Sequence, residues 1–133
     1  MNIEDIGRIE FHDAKIGQLL FSCDGKLEIE FRHICLYQGN SLDEDVNDVW
    51  SAKANLLLSG VTFVEVVGSI RDDDYVSVGQ FIDQDNRSYR MVDRVSTSSA
   101  KSCEFLLAGS GTTIKVSFVG AIWSEVVCLE RIK

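Results

Sequence analysis

Alternation of apolar and polar side chains, with a period of two residues, is the feature that most constrains how this chain folds. From Leu27 to Phe31 every odd-numbered residue is apolar and every even-numbered residue is charged. Successive side chains of a β-strand point to opposite faces of a sheet, so this pattern is typical of a half-buried strand. Beyond Arg32 the apolar positions change parity to Ile34 and Leu36. An extra residue would restore the alternation, and we therefore predict a β-bulge near His33.

The same reasoning predicts a β-hairpin in the second half of the chain. Residues 103–108 are mostly apolar, residues 114–118 alternate, and Gly109-Ser110-Gly111-Thr112 lies between them. Glycine tolerates the positive φ angles of tight turns, which favours a hairpin loop at this point. β-branched and aromatic residues predict further strands at 61–67 and 122–132. Nearer the start, 9–11 and 16–23 predict a shorter pair of strands.

Residues 42–58 fit two different structures. Ser41-Leu42-Asp43-Glu44 has the spacing of a capping box, and one helical face would carry Val46, Val49, Trp50, Ala54 and Leu57. The stretch from Trp50 to Leu58 also alternates between apolar and polar residues, as a strand would. We prefer a loop followed by a strand, and the helix stays open as the competing interpretation.

Together these patterns predict an all-β fold of two packed antiparallel sheets, either a β-sandwich or an open barrel. At most one short helix, around residues 42–50, is compatible with the pattern. The chain has 133 residues and contains no proline, and its composition does not change along its length. This length is typical of one domain, so we expect a single domain over residues 1–133.

The charge of the chain limits the kinds of partner that we expect it to bind. The formal net charge is -8, which disfavours binding to nucleic acid or to anionic membranes, because both need clustered Lys and Arg. It favours a basic protein partner instead. The first residues are acidic and no segment has the length of a membrane span, so we expect a cytoplasmic protein. Four scattered cysteines without a C-x-x-C pair are expected to be reduced thiols there.

Few residues suggest catalysis or a cofactor. His12 precedes Asp13, which raises the possibility of a Ser-His-Asp hydrolase, but Gly109-Ser110-Gly111 lacks the spacing of a nucleophile elbow. We therefore favour structural roles for His12 and for the other histidine, His33. The segment that starts at Asp83 fails as an EF-hand loop, since the required glycine and the closing glutamate are absent. No phosphate-binding or dinucleotide-binding motif occurs, so no cofactor and no catalytic residue is predicted.

Two acidic groups are the candidate partner-binding residues. The first consists of Asp43, Glu44, Asp45 and Asp48, and the second consists of Asp72, Asp73 and Asp74 followed by Tyr75. Loops at one end of a sandwich can clamp calcium between carboxylates, but aspartate is also common in solvated turns. We assign no metal site and predict that these residues face a protein partner.

The segment Phe11-His12-Asp13-Ala14, followed by the alternating strand at 27–31, resembles a loose group of small bacterial proteins. These proteins open with Phe-His-Asp-Ala or Phe-His-Asp-Ser, and several of their families are assigned as immunity proteins of polymorphic toxin systems. The segments at 56–61 and 128–132 also look similar. The resemblance implies a non-enzymatic protein that neutralises a toxin. It implies no catalytic residues, and it leaves Phe11, His12 and Asp13 as a structural motif.

The sequence therefore predicts a non-enzymatic protein-binding domain that acts as an immunity protein against a basic toxin. The alternative is a β module that binds a small ligand or calcium. It would show a ligand pocket or a cluster of carboxylates.

Overall fold

A computed structural model of the chain describes residues 6–38, 49–72 and 74–132. In chain order the elements are β1 (Ile6–Phe21), β2 (Leu27–Gln38), β3 (Val49–Ser59), β4 (Phe63–Val67), β5 (Val76–Asp83), β6 (Ser88–Tyr89), β7 (Met91–Val92), α1 (Arg94–Ser98), β8 (Ala100–Leu107), β9 (Thr113–Ser117) and β10 (Gly120–Arg131). Within these three ranges, no helix combines the length and the apolar surface that crossing a bilayer requires.

The strands form two antiparallel sheets. Sheet A has the strand order β10-β3-β2-β1-β7, and sheet B has the order β4-β9-β8-β5-β6. The inner faces of both sheets contribute to one hydrophobic cluster. The predicted all-β fold of two packed antiparallel sheets is confirmed.

The alternation in β2 is confirmed, together with its bulge. Leu27, Ile29 and Phe31 are fully buried, and so are Ile34 and Leu36 beyond the change of parity. Phe31 lies opposite Ala54 of β3 and Ile34 lies opposite Ala52, so β2 advances three residues while β3 advances two. The extra residue of β2 therefore lies at position 32 or 33, where the β-bulge was predicted.

Residues 49–58 form a strand, which confirms the preferred interpretation for this part of the ambiguous segment. Ala52, Ala54, Leu56 and Leu58 are buried and alternate with more exposed residues. The strand is favoured because β2 and β10 flank β3 and pair with it on both sides. Residues 42–48, on which the alternative helix depends, lie outside the described residues.

The helix α1 was not predicted from the sequence. It begins after Asp93, whose carboxylate accepts the N–H of Ser96 at 2.7 Å, while the N–H of Asp93 donates to the Ser96 hydroxyl at 2.9 Å. The buried Thr97 accepts a hydrogen bond from the indole of Trp123 at 3.1 Å, which ties the helix to β10. Only the Asp-x-x-Ser spacing signalled this helix, since five residues are too few for an apolar period.

The predicted short pair at 9–11 and 16–23 is wrong, because residues 9–11 and 16–21 belong to the single 16-residue strand β1, which ends at Phe21. β1 bulges between its two halves. It advances five residues from Glu10 to Lys15 while β2 advances two, from Cys35 to His33. The interruption in the apolar pattern that separated the two predicted strands is this bulge, and both halves of β1 pair with β2.

The hairpin and the two other predicted strands are confirmed, whereas β5, β6 and β7 were not predicted. β8 and β9 pair through the turn at 108–112, with Leu107 donating to the Thr112 carbonyl at 2.8 Å. The strand predicted at 61–67 is β4, and the strand predicted at 122–132 is β10.

Aromatic rings fill the space between the sheets. The Phe11 ring is stacked on Phe81 with centroids 5.4 Å apart, meets Phe105 edge-on at 5.3 Å, and lies 6.1 Å from Trp123. Such pairs contribute about 0.5–1.5 kcal/mol each beyond the burial of their area. Phe11 thus links β1 of sheet A to β5 and β8 of sheet B.

Gly79 of β5 permits this contact. A Cβ at position 79 would lie 2.6 Å from the Phe11 Cβ and 2.9 Å from the Phe105 Cδ1. Both distances are far below van der Waals contact. The absence of a side chain at Gly79 therefore lets β1 and β5 approach each other.

We expect Gly79→Ala to lower the free energy of unfolding by about 1–3 kcal/mol, because the added methyl group overpacks the aromatic core. Denaturant unfolding of the two proteins measures this change. Gly17→Ala is the matched control, since the atoms that its Cβ would meet belong to the flexible surface side chains of Glu30 and Arg32. Equal losses in both variants would contradict the packing argument.

Candidate functional site

The Phe11-His12-Asp13 motif occupies the bulge in β1. Phe11 is fully buried, whereas His12 and Asp13 are exposed and their side chains contact each other, with His12 Nδ1 3.2 Å from Asp13 Oδ2. Asp13 has a φ angle of 68°, in the left-handed region that aspartate adopts more readily than most residues. The motif thus anchors the bulge in the core through Phe11 and presents His12 to solvent.

The two predicted acidic groups are only partly described. Asp43, Glu44, Asp45, Asp48 and Asp73 all lie outside the described residues. The side chain of Asp72 is 93% exposed and Tyr75 is 43% exposed, whereas Asp74 is only 4% exposed. The structure therefore places Asp72 and Tyr75 at the surface and Asp74 inside the fold.

Asp74 holds the turn between β8 and β9. Its carboxylate accepts the N–H groups of Gly109 at 2.6 Å, Ser110 at 3.0 Å and Tyr75 at 3.0 Å, and it also accepts the Ser110 hydroxyl. The hydroxyl and these N–H groups lower the pKa of Asp74, against the effect of burial. The carboxylate is committed to these bonds, and Asp74 exposes little of its surface. This role was missed because its donors lie 35 and 36 residues further along the chain.

Asp83 plays a similar part at the turn between β5 and β6. Its carboxylate accepts the N–H groups of Asp85 and Arg87 and the hydroxyl of Tyr89, at 2.9–3.0 Å. The N–H of Arg87 is the main cause of its lowered pKa. The segment that resembled the start of a calcium loop is thus a turn closed by its own aspartate.

The hydrolase candidates are not brought together. The Ser110 hydroxyl bonds to Asp74 and lies 2.6 Å from the Thr112 hydroxyl, while His12 contacts Asp13. Among the described residues, no hydrogen bond joins Ser110 to a histidine. This geometry gives Ser110 a structural partner and no general base.

A groove of about 400 Å³ crosses the outer face of sheet A. Glu30 of β2 lies opposite Asn55 of β3, and Asn55 lies opposite Glu125 of β10, so the three side chains form a row across three strands. Lys53 and Val127 are also part of the lining. We define this feature as the sheet A groove.

Arg32 connects the sheet A groove to the predicted acidic group. Its Nε lies 3.6 Å from Glu30 Oε1, and its Nη1 lies 3.2 Å from Asp72 Oδ1. Asp72 belongs to the connection between β4 and β5 and so reaches the groove from the other sheet. Exposed ion pairs of this kind contribute little to stability, so a partner is able to replace them at small cost.

The β10 side of the groove is apolar. Val127 is 45% exposed and Leu129 is 53% exposed, and both line the groove next to Glu125 and Lys53. Apolar side chains bordered by charged groups are typical of the surfaces through which proteins bind one another.

A second depression, of about 310 Å³, contains His12. It lies between β1, β5 and β7 and is lined by Glu10, His12, Ser77, Val78, Gly79, Arg90 and Met91. Beside it, the Tyr37 hydroxyl donates to Glu10 at 2.7 Å, which raises the pKa of Tyr37 to about 12. We call this depression the His12 cleft.

The structure also brings together Cys35, His33 and Ser51, a group that the sequence analysis did not single out. His33 Nδ1 lies 2.9 Å from the Ser51 hydroxyl, and its Nε2 lies 4.0 Å from Cys35 Sγ. Burial, followed by the negative charges of Glu10 and Asp13, raises the pKa of the Cys35 thiol. A nucleophilic cysteine needs the opposite shift, so this environment does not activate the Cys35 thiol.

The described residues contain no group of three or more His, Cys, Asp or Glu side chains placed to hold a metal ion. Comparisons of this chain with protein families, curated proteins and solved structures give no match.

We expect Asp74→Ala to lower the free energy of unfolding by about 2–4 kcal/mol, because three N–H groups at the turn lose their acceptor. The pH dependence follows from the lowered pKa of Asp74. Its contribution is complete above the unfolded carboxyl pKa and is lost as the pH falls through the lower folded pKa, so stability should fall below about pH 4. Melting curves from pH 7 to pH 2 measure this, and a profile of Asp74→Asn as steep as that of the wild type would contradict it.

We expect iodoacetamide to alkylate the exposed Cys23 well before Cys35 and Cys103 in the native protein. Burial raises the pKa of both Cys35 and Cys103, and only the thiolate reacts. Mass spectrometry of peptides after timed labelling at pH 8 gives the order, and the unfolded protein is the control. Labelling of Cys35 ahead of Cys23 would identify an activated nucleophile and revive the enzyme hypothesis.

Proposed function

We propose that this chain is a non-enzymatic protein-binding domain that acts as an immunity protein against a basic toxin. The observation that carries the proposal is the sheet A groove. It combines exposed apolar side chains, Val127 and Leu129, with carboxylates at Glu30 and Glu125. A partner that covers this surface would bury the apolar side chains and pair with the carboxylates at their border.

The overall charge supports a basic partner. A net charge of -8 attracts a positively charged protein over several ångströms and accelerates its capture. A nuclease toxin fits this description, because its own surface must attract phosphate. Asp72, the exposed member of the second acidic group, is held beside the groove by Arg32.

Binding should depend on the groove carboxylates. Protein retained from native cytosol at low and then physiological salt would be identified by mass spectrometry, and its affinity for the wild-type chain would be measured by calorimetry. We expect Glu125→Lys to weaken this binding about tenfold or more, because a cation replaces a carboxylate within the contact. Higher salt should also weaken binding to the wild type.

Asp85→Lys is the matched control, since it makes the same change in net charge at an exposed turn outside the groove. We expect it to slow association only modestly. Equal losses in the two variants would show that net charge, and not the groove, determines binding. Retention of no specific protein would count against the proposal.

The His12 cleft favours the small-ligand form of the alternative function; its lining among the described residues contains one carboxylate, Glu10, and a cation, Arg90, which gives no support to the calcium-binding form. Glu10, His12 and Arg90 supply charged and hydrogen-bonding groups around an open space of about 310 Å³. A ligand that binds the folded state alone raises the melting temperature. Thermal-shift measurements with Ca²⁺ and with a metabolite set test this function, and a flat response would exclude the ligands that were tried.

A further inference from the structure

Among residues 6–38, 49–72 and 74–132, the two sheets present four edge strands, which differ in how well they are protected from pairing with another chain. β6 and β7 have two residues each, which is too short for a useful ladder. β10 is long, but its register with β3 shifts at 123/125 and again at 128/130. Short strands and bulges are devices that block edge pairing. β4 pairs with β9 over five residues without any shift in register. It therefore lacks the protection that a bulge gives to an edge strand.

The free edge of β4 can be assigned residue by residue. Leu107 donates to the Thr112 carbonyl and Phe118 donates to the Lys101 carbonyl, so the even-numbered residues of β9 bond to β8. Hydrogen bonding alternates along a strand, which turns the odd-numbered residues of β9 toward β4. In the register of the pair, these bond to residues 63, 65 and 67. Val64 and Val66 therefore direct their N–H and C=O groups to the open edge.

The side chains of β4 are mostly apolar and exposed. Phe63, Val66 and Val67 are 41–57% exposed, and Glu65 is the only charged residue of the strand. Natural edge strands often carry a lysine or a proline that discourages pairing, and β4 has neither. A strand from another protein would therefore meet free backbone hydrogen-bonding groups of β4 and would pack against its exposed apolar side chains.

Charges alternate in the row that contains Glu65. Glu65 lies opposite Lys115 of β9, Lys115 lies opposite Glu104 of β8, and Glu104 lies opposite Gln80 of β5. A strand added beyond β4 would meet Glu65 at the end of this row. Opposite charges in cross-strand pairs stabilise a sheet, whereas like charges destabilise it. The complementary residue in the added strand is therefore lysine or arginine.

We propose that β4 is a docking site at which an extended segment of a partner protein adds to sheet B as a sixth strand, with a lysine or arginine opposite Glu65. Val64 and Val66 supply the backbone hydrogen bonds, and the partner residues opposite them are β-branched. In an antiparallel arrangement the pair at Glu65 is the non-hydrogen-bonded kind, in which side chains come closest. The proposal rests on protein binding as the proposed function and adds a surface separate from the sheet A groove.

The same argument disfavours a second copy of the chain as the occupant. Antiparallel pairing of β4 with itself over all five residues places Glu65 opposite Glu65. Shifting the register by two residues removes that clash but leaves only three pairs of the five-residue strand. Each copy also carries a net charge of -8. A basic segment of a different protein avoids all of these costs.

The chain itself supplies a probe. β9 already pairs with β4 and has the expected pattern, with Lys115 between Ile114 and Val116. A synthetic peptide with the sequence of residues 112–118, Thr-Thr-Ile-Lys-Val-Ser-Phe, would be titrated into the ¹⁵N-labelled full chain beside a peptide with Glu in place of its Lys. We expect amide shifts at 64–66, slower hydrogen exchange at Val64 and Val66, and affinity about two- to fivefold higher for the Lys peptide.

Two variants test the assignment. Val66→Pro removes an N–H that no hydrogen bond within the described part of the chain uses, and it should abolish peptide binding while circular dichroism stays unchanged. Glu65→Lys should reverse the preference to the Glu peptide, and it serves alone if the proline variant fails to fold. The proposal is overturned by equal affinities of the two peptides, by no binding at millimolar peptide, or by shifts confined to other strands.

Sedimentation of the free chain tests the remaining occupant. A dimer that Val66→Pro dissociates would identify a second copy at β4 and overturn the proposal. The proposed function fails separately, because Glu125→Lys changes the sheet A groove and leaves β4 intact. Peptide binding at β4 with no partner at the sheet A groove would overturn the proposed function alone. A partner at the groove with no peptide binding at β4 would overturn the β4 proposal alone.

Discussion

The contact between Phe11 and Phe81, over the bare backbone of Gly79, is the interaction on which the rest of the structure depends. It joins β1 of sheet A to β5 of sheet B, with the two rings nearly parallel and their centroids 5.4 Å apart. Phe11 continues the inward-facing alternation of Ile9, and the bulge between Glu10 and Lys15 then moves the buried positions to Ala14 and Ile16. The bulge leaves His12 and Asp13 exposed, and His12 contributes to the lining of the His12 cleft.

The outer faces carry the charge, and its arrangement separates structural carboxylates from available ones. Asp74 and Asp83 satisfy the backbone of tight turns, and their hydrogen bonds lower the pKa of both groups. Glu30, Glu125 and Asp72 make only exposed contacts, or line an open groove. The exposed ion pairs of this second kind contribute little to the stability of the fold, so a cationic partner is able to replace them. In our proposals, a basic protein contacts side chains in the sheet A groove. At the edge of β4 it forms backbone hydrogen bonds.

Most of the sheet structure could be predicted from period-two alternation, because a strand with one buried face has apolar residues at every second position. This held for β2 with its bulge and for the hairpin of β8 and β9. It failed for β1, where an interruption in the pattern suggested two strands although the chain continues through a bulge. It also failed for α1, because five residues are too few to show the apolar periodicity of a helix. The candidate site was harder, since Asp72, Asp73 and Asp74 look alike in sequence, although Asp74 is buried and Asp72 is exposed.

The sequence by itself determined the fold class, most strand positions, the shift in β2 and the acidic balance, because these depend on local alternation and composition. Only the tertiary structure decided which strands are edges, which carboxylate holds a turn, and which side chains share a groove. Glu30, Asn55 and Glu125 form one row because three strands distant in sequence pair in a particular register. That register keeps the apolar face of each strand in the core that the two sheets share, and no single segment of the chain contains it.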